Sequence, residues 1–158
     1  MVKYEKLIFV CTGNTCRSPM AKAIYQQLET NSKLRVTSRG LIVLFPEPAN
    51  PKASIVLHNH ALSLDGHMAT QLEPADINEE TLILTMTEKQ RNSIRNEYGY
   101  QDNVYTIKEF VGEAGDVTDP YGLTLLEYED CYVEMARLVK KTVYKLNEEE
   151  QDYDSNWK

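Results

Sequence analysis

A short apolar run that ends at a polar loop and precedes a helical pattern is the feature that most restricts how this chain can fold. Residues 7–10 read Leu-Ile-Phe-Val without interruption, and residues 11–18 form the polar loop. From Pro19 to about Asn31, apolar residues recur at three- and four-residue spacing, as on one face of a helix. An unbroken apolar run is typical of a parallel strand covered on both faces. The sequence therefore predicts a strand-loop-helix unit at the start of an α/β fold.

The rest of the chain continues to alternate strand and helix patterns. Further strands are predicted at residues 34–38, 81–85 and 104–107, and further helices at 51–63, 87–98 and 125–146. With 158 residues and 42% hydrophobic content, the chain can build one core. We predict a single doubly wound α/β domain over residues 1–147, with a central parallel sheet of about four strands flanked by helices. Residues 148–158 are acidic and almost without aliphatic side chains, which predicts a frayed tail.

Charge and cysteine content restrict the partners and the location. The formal net charge of -7 and a pI of about 5.0 argue against a surface that neutralises nucleic-acid phosphates or lies on anionic lipid. Residues 1–10 mix charged side chains with an apolar run that is too short for a secretory signal or a membrane span. Three cysteines fit a reducing compartment and not a disulfide framework. A cytoplasmic protein with no nucleic-acid or membrane partner is expected.

The loop after the first predicted strand carries the candidate chemistry. It reads Cys11-Thr12-Gly13-Asn14-Thr15-Cys16-Arg17-Ser18. Its backbone N–H groups and the start of the next helix can converge on one phosphate-sized anion, and residues 11–18 are named here the phosphate loop. Cys11 stands at the rim of this positive environment, which favours a thiolate nucleophile. Arg17 can place its planar fork against two phosphoryl oxygens, which a lysine cannot do.

The full sequence pattern of the phosphate loop indicates a function more specifically than any single residue in it. A cysteine after a strand is usually a small buried residue, and an arginine at a helix start is usually solvated. A cysteine, five residues and Arg-Ser between a strand and a helix is a specific pattern, and it resembles the low-molecular-weight protein tyrosine phosphatase family. The resemblance covers nearly the whole chain and includes Ser38-Arg39-Gly40, residues 48–53, His67-Met68-Ala69-Thr70-Gln71, Met86-Thr87 and Asp119-Pro120-Tyr121-Gly122. The chain departs from the family at Arg39, where alanine is usual, and at residues 41–46, which are unusually apolar.

The resemblance implies a phosphatase for phosphorylated proteins or peptides that forms a phosphocysteine intermediate and uses no cofactor. Cys11 is then the nucleophile, Arg17 the phosphate clamp, and Asp119 the acid that protonates the leaving group and later activates water. The residues expected to bind substrate are Thr12, Gly13, Asn14, Thr15, Cys16, Ser18 and Tyr121. Phosphate and similar oxyanions are expected to inhibit such an enzyme. The sequence carries no signal for an oligomeric state.

Several residues around the loop have two interpretations. The resemblance makes Asn14 and Ser38 braces of the phosphate loop and Ser18 a donor to the thiolate, although ordinary turn and capping chemistry would also suit them. An Asp-Pro pair in a loop is usually just a turn. Matched to the family motif, Asp119 becomes the general acid and Pro120 a supporting residue.

The remaining cysteines and the histidines receive less specific roles. Cys16 is either a buried packing residue or the partner of an oxidised Cys11 in a reversible disulfide that protects it from further oxidation. Cys131 falls inside the closing helix and is expected to be structural. His58 and His60 lie two residues apart on a predicted helix and point to different faces, so one ion cannot readily use both. No metal site is expected.

The leaving group stays open between phosphotyrosine and phosphoarginine. Thr15 stands where tyrosine-specific relatives usually carry Ile or Leu, and it resembles the bacterial protein-arginine phosphatases. Three other segments resemble that branch as well: Met86-Thr87, Lys108-Glu109 and Gly115-Asp116-Val117. A hydroxyl here can hydrogen-bond near a P–N linkage, whereas an aliphatic group favours an aryl ring. The sequence therefore favours phosphoarginine.

Three other classes of protein fit the sequence less well. An arsenate reductase of this fold needs two further cysteines to carry oxidation away from the nucleophile, yet residues 80–100 contain none and Cys131 is predicted within a helix. A silent phosphoprotein-binding module would be expected to have lost Cys11 or Asp119, and both are present. A Walker-type nucleotide site requires Gly-Lys-Ser/Thr after the loop, which the chain lacks.

Overall fold

Four parallel strands form one sheet with helices packed on it. The computed structural model describes residues 4–29, 33–99 and 102–155, with side chains as far as Glu148. The elements are β1 Lys6–Cys11, α1 Arg17–Leu28, β2 Arg35–Gly40, α2 Pro51–Asn59, a 3₁₀ turn at Pro74–Asp76, β3 Thr81–Thr85, α3 Glu88–Tyr98, β4 Val104–Thr106, α4 Ile107–Phe110 and α5 Leu125–Ser155. The strand order is β2-β1-β3-β4, and all three pairings are parallel. The predicted fold class, with the phosphate loop after the first strand, is confirmed.

The central strand β1 is buried on both faces, which accounts for its unbroken apolar sequence. Leu7 and Phe9 point into the larger core cluster, on the side of α1 and α5. Ile8 and Val10 point into a smaller cluster on the other face, together with Ile94 of α3. The chain leaves β1 toward β2 on one side and later places β3 on the other. The carboxyl end of β1 therefore lies at the switch point of the sheet, where α/β proteins bind ligands.

The bounds of three predicted elements differ from the structure. Helix α1 begins at Arg17 and not at Pro19, and it ends at Leu28; the predicted end near Asn31 lies outside the described residues. Helix α2 ends at Asn59 and not at residue 63, because the chain turns at Ala61 with a φ of 61°. Strand β2 begins at Arg35 and continues to Gly40, farther than the predicted residue 38.

Strand β4 ends one residue before the prediction because Thr106 caps a short helix. The Thr106 hydroxyl accepts from the Glu109 N–H at 2.9 Å, and the Glu109 carboxylate accepts from the Thr106 N–H at 3.2 Å. This reciprocal capping box starts α4 at Ile107, which the sequence predicted as strand.

The closing helix α5 is longer than predicted. Its expected end was near Leu146, but the helical backbone continues to Ser155, and residues 156–158 lie outside the described residues. No glycine or proline interrupts residues 147–158, and the glutamates and glutamine there are good helix formers. The backbone of residues 148–155 is thus helical, while the domain boundary at residue 147 remains a prediction. Across the described ranges, no helix has the length and apolar character that crossing a bilayer requires.

Candidate active site

The phosphate loop begins where β1 ends, and it places Cys11 next to the first turn of α1. Cys11 is the last residue of β1, and its Sγ lies 2.9 Å from the Ser18 Oγ in the first turn of α1. The Ser18 hydroxyl accepts an N–H from Asn14 at 2.8 Å, so its own hydrogen is free to donate. The alternative acceptor, the Arg39 carbonyl, is 3.5 Å away and therefore weaker. Ser18 is placed to stabilise a Cys11 thiolate.

Asn14 connects the phosphate loop to the structure around it. It has a positive φ of 57°, which Asn tolerates better than most residues, and it is fully buried. Its Nδ2 donates to Ser18 and, at 3.0 Å, to the Ser38 hydroxyl of β2, while its Oδ1 accepts from the Thr70 N–H at 2.9 Å. The His67 Nε2 lies 2.7 Å from the Asn14 carbonyl. The loop is braced from β2 and from residues 67–71.

His67 is a bracing residue whose contact the sequence did not predict, although the segment 67–71 was part of the family resemblance. Burial is the main reason that the pKa of His67 is lowered, so the neutral ring is favoured. The neutral ring can still donate its Nε2–H to the Asn14 carbonyl. His67 and Asn14 are 53 residues apart in sequence, so no local sequence pattern predicts their contact.

Gly40, at the end of β2, lets the chain pass directly under the phosphate loop. A Cβ at this position would lie 2.6 Å from the Val43 Cγ2, 3.0 Å from the Asn14 Cβ and 3.0 Å from the Thr12 carbonyl oxygen. Two of these neighbours belong to the loop itself, so a larger residue would displace it. The close packing around Gly40 therefore explains why the third residue of the family motif Ser38-Arg39-Gly40 is a glycine.

Arg17 joins the phosphate loop to the loop that carries Asp119. One guanidinium nitrogen donates to the Val117 carbonyl at 2.8 Å, and another lies 3.5 Å from the Asp119 Oδ2. Arg17 is only 5% exposed, whereas Asp119 is 51% exposed and open to solvent. The Asp119 Oδ1 accepts the Tyr121 N–H at 3.0 Å, which orients the carboxylate. The predicted nucleophile loop, clamp and acid thus lie at one edge of the sheet.

Pro120 and Tyr121 complete the acid loop. Pro120 is buried, and its carbonyl accepts the Leu123 N–H at 2.9 Å, which closes a turn. The Tyr121 side chain is 71% exposed and stands at the outer side of this loop.

Gln90 is a second bracing residue that the sequence did not predict. Its Nε2 donates to the Thr12 Oγ1 at 3.1 Å, and its Oε1 accepts the Met86 and Thr87 N–H groups at 2.9 and 3.1 Å. Gln90 is buried at the start of α3. A signal was present in the sequence, since a threonine followed three residues later by glutamine is the signature of a capping box. This box ties the end of β3 to the phosphate loop.

A groove of about 620 Å³ opens beside Thr12 and Arg17. It runs between α3, residues 116–119 and the apolar segment that departs from the family pattern. Leu41 and Ile42 of that segment line the groove, and Leu44 beyond them is 87% exposed. The unusual apolar loop therefore borders the mouth of the site.

The three cysteines and the histidines are placed as follows. Cys11, Cys16 and Cys131 are all free thiols, and each is buried. The His60 Nε2 lies 2.6 Å from a Glu129 carboxylate oxygen, and its ring stacks on Tyr132 of α5. In the part of the chain that the structure describes, no three His, Cys, Asp or Glu side chains are grouped as ligands of a metal ion.

Comparison with known proteins agrees with this arrangement. Residues 6–152 match the family model of the low molecular weight phosphotyrosine protein phosphatases. The low molecular weight protein-tyrosine-phosphatase PtpB of Staphylococcus haemolyticus is 34% identical over 136 residues, which span 86% of this chain and 96% of the relative. The solved structure of the YwlE arginine phosphatase from Geobacillus stearothermophilus superposes with a TM-score of 0.87 at 32% identity, covering 93% of this chain and 96% of that one.

A further solved structure is that of a YwlE arginine phosphatase mutant with a phosphorylated active-site serine. It matches with a TM-score of 0.84 at 33% identity and covers 90% of this chain and 95% of its own. The family model thus matches most of the chain, and the fold places the phosphate loop after the first strand, as predicted. The chain belongs to the low molecular weight phosphotyrosine protein phosphatase family.

Proposed function

We propose that this protein hydrolyses phosphorylated protein side chains through a phosphocysteine intermediate on Cys11. The observation that carries the proposal is the contact of Arg17 with both Val117 and Asp119, which holds the acid, about 100 residues away in sequence, next to the clamp in the phosphate loop. The position of Ser18, 2.9 Å from the Cys11 sulfur, adds a donor for the thiolate. The phosphorylated serine in the related YwlE mutant supports phosphoryl transfer to the residue at this position.

In the first step, the loop N–H groups and Arg17 hold the phosphoryl oxygens while the Cys11 thiolate attacks phosphorus in line. The S–P bond forms as the bond from phosphorus to the leaving atom breaks. Asp119 donates its proton to the leaving atom, so the side chain departs neutral. Arg17 offers a planar pair of donors to the charge that spreads over the phosphoryl oxygens in the transition state.

In the second step, the Asp119 carboxylate takes a proton from water, and the water oxygen attacks phosphorus. The S–P bond breaks, phosphate leaves, and Cys11 returns as a thiolate next to Ser18. The exposure of Asp119 suits this role, because water reaches the carboxylate directly. Both steps use the same three residues, and no cofactor is needed.

We propose further that phosphoarginine is the preferred substrate. Thr15 is half-buried in the phosphate loop, and a Cβ built on Gly13 would lie 3.9 Å from its Oγ1. Among the described residues none hydrogen-bonds to this hydroxyl, so a substrate N–H or a water can use it. The likeness to the YwlE arginine phosphatases supports the same preference, whereas the likeness to PtpB supports phosphotyrosine. The cytoplasm, where free thiols stay reduced, is the proposed location.

Kinetics on matched peptides test both levels of the proposal. Two peptides of one sequence, carrying phosphoarginine or phosphotyrosine, are compared by phosphate release, with p-nitrophenyl phosphate as a generic substrate. We expect turnover of all three and a higher kcat/KM for phosphoarginine. No turnover of any substrate by the reduced protein would contradict the phosphatase, and a higher kcat/KM for phosphotyrosine would contradict the preference alone.

A further inference from the structure

Both ends of the acid loop, residues 116–124, are attached to other parts of the structure by hydrogen bonds. Near its start, the Val117 carbonyl accepts from Arg17 at 2.8 Å. Near its end, the Leu123 carbonyl accepts from the Lys52 Nζ at 2.5 Å. The first attachment comes from the phosphate clamp, and the second comes from helix α2.

The position of Lys52 follows from the way in which α2 begins. Asn50 is the N-cap residue, and its N–H donates to the Thr15 carbonyl of the phosphate loop at 2.8 Å. The Asn50 Oδ1 accepts the Lys52 N–H at 2.9 Å, as an N-cap side chain does. The residue between them is Pro51, which suits the first position of a helix. The start of α2 therefore connects the phosphate loop to the acid loop.

The Lys52 ammonium contacts the start of α5 as well as Leu123. Its Nζ lies 5.9 Å from the centroid of the Tyr128 ring, within the range of a cation–π interaction. Tyr128 is fully buried, and its N–H donates to the Thr124 carbonyl at 3.2 Å. The long side chain of Lys52 thus has two partners, and both belong to the segment where the acid loop joins α5.

The attachment acts on the turn that directly follows Asp119. The Pro120 carbonyl accepts the Leu123 N–H at 2.9 Å, so Leu123 closes this turn. Asp119 itself is exposed, and its contact with Arg17 is 3.5 Å long, so neither burial nor a short ion pair fixes its carboxylate. The carboxylate is oriented within the turn, because its Oδ1 accepts the Tyr121 N–H at 3.0 Å. A turn held in place is therefore what directs the carboxylate.

We propose that Lys52 is a positioning residue for Asp119, which it serves by holding the Leu123 carbonyl and with it the turn of the acid loop. The inference rests on the proposed function, because it takes Asp119 to be the general acid. Lys52 has no part in the proton transfer itself. A displacement of about 1 Å from the productive geometry can lower a rate by about 10²-fold, so loss of the attachment is expected to weaken catalysis although the acid is still present.

Three variants of Lys52 and one matched control test the proposal. Lys52→Met and Lys52→Ala remove the donor, whereas Lys52→Arg keeps a cationic donor. All three replacements are good helix formers, so α2 is expected to remain intact. Lys145→Met is the control, because Lys145 makes the same kind of contacts in the second half of α5: its Nζ donates to the Phe110 carbonyl at 2.7 Å and lies 4.2 Å from the Phe110 ring.

The measurements are kcat/KM on phenyl phosphate and p-nitrophenyl phosphate, inhibition by phosphate, and hydrogen exchange of residues 116–124. For the two variants without the donor, we expect kcat/KM on phenyl phosphate to fall by about tenfold, a part of the 10²–10⁴-fold that general acid–base catalysis contributes. The loss on p-nitrophenyl phosphate should be smaller, because its leaving group is less basic and needs the proton less. Phosphate inhibition should stay unchanged, since the phosphate loop and Arg17 are intact. Hydrogen exchange of the acid loop should be faster.

The arginine variant and the control distinguish positioning from general stability. We expect Lys52→Arg to restore most of the activity on phenyl phosphate, because its guanidinium can still donate to the Leu123 carbonyl. Lys145→Met should affect both substrates equally and leave hydrogen exchange of the acid loop unchanged.

Several results would overturn the inference. These are equal losses on the two substrates, wild-type activity on phenyl phosphate without the donor, no rescue by Lys52→Arg, and unchanged hydrogen exchange of residues 116–124. The same substrate-dependent loss in Lys145→Met would overturn it as well. A wild type that hydrolyses neither substrate contradicts the proposed function, and hydrogen exchange still decides whether Lys52 holds the acid loop.

Discussion

Replacing Arg17 with lysine tests the central contact of the candidate site. Arg17 is nearly buried and uses one nitrogen for the Val117 carbonyl at 2.8 Å and another toward Asp119 at 3.5 Å. A lysine ammonium carries a single charge with three donors and has no planar fork, so it cannot hold Val117 and still present two parallel donors to a phosphoryl group.

The expected magnitude follows from the contacts that are lost. Removing one transition-state donor in other enzymes costs about 2.7–4 kcal/mol, or roughly 10²–10³ in kcat. The Val117 carbonyl would also lose its charged donor, which costs roughly 1–3 kcal/mol if the group stays buried. We expect Arg17→Lys to lower kcat by about 10²–10³-fold and to lower the free energy of unfolding by a smaller amount.

The assay compares kcat and kcat/KM on p-nitrophenyl phosphate, inhibition by phosphate, and urea unfolding. Arg91→Lys is the matched control, because Arg91 pairs with Glu109 at 2.7 Å and, in the described part of the chain, its side chain hydrogen-bonds only to Glu109 and Asn92. An ion pair with a partly exposed partner contributes about 0–1 kcal/mol, so both activity and stability should stay near the wild type. A loss of less than about tenfold in Arg17→Lys, against the range given for a lost donor, would refute the clamp role.

Four further predictions concern other residues of the site. Cys11→Ser should abolish turnover but keep phosphate binding in an equilibrium titration, because the loop amides remain while the thiolate is lost; measurable turnover would contradict the mechanism. Asp119→Ala should slow phenyl phosphate hydrolysis more than p-nitrophenyl phosphate hydrolysis, because a basic leaving group needs the proton more; equal losses would mean that Asp119 only positions the loop. Thr15→Ile should shift the ratio of kcat/KM values from phosphoarginine toward phosphotyrosine by about tenfold or more, or about 1.4 kcal/mol, and an unchanged ratio would remove the residue-level reason for the preference. Burial lowers the pKa of His67, so protonation of this ring favours the unfolded chain, and the free energy of unfolding should fall as the pH drops below the ordinary His pKa of 6.5. His67→Gln keeps a donor for the Asn14 carbonyl and should flatten this pH dependence, as measured by urea unfolding. The same slope in the variant would assign the pH dependence to another group.

The sequence by itself determines the features that depend on residues adjacent in the chain. The apolar run of β1, the phosphate loop and the start of α1 are contiguous, so their order and residue types already predict an anion site with Cys11 and Arg17 in it. The two faces of β1 are both covered, which is why an unbroken apolar pattern predicts it correctly. Element ends were less predictable, since α2 ends on the backbone geometry of Ala61 and α4 begins on a capping box at Thr106.

The family motif identifies Asp119 in the sequence. In the structure its carboxylate contacts Arg17, which also donates to the Val117 carbonyl. The motif does not predict which atoms meet, because that depends on how the chain after α4 returns across the sheet.

Only the tertiary structure decided the contacts that reach the phosphate loop from distant segments. His67 and Thr70 meet Asn14, and Gln90 meets Thr12. Periodicity reports which face of an element is buried, but it does not report which residue lies opposite across the interface. Gln90 illustrates this limit, since the sequence shows its capping box with Thr87 but not the contact of its amide with Thr12, 78 residues away. Side chains that are far apart in sequence become neighbours only when the core closes.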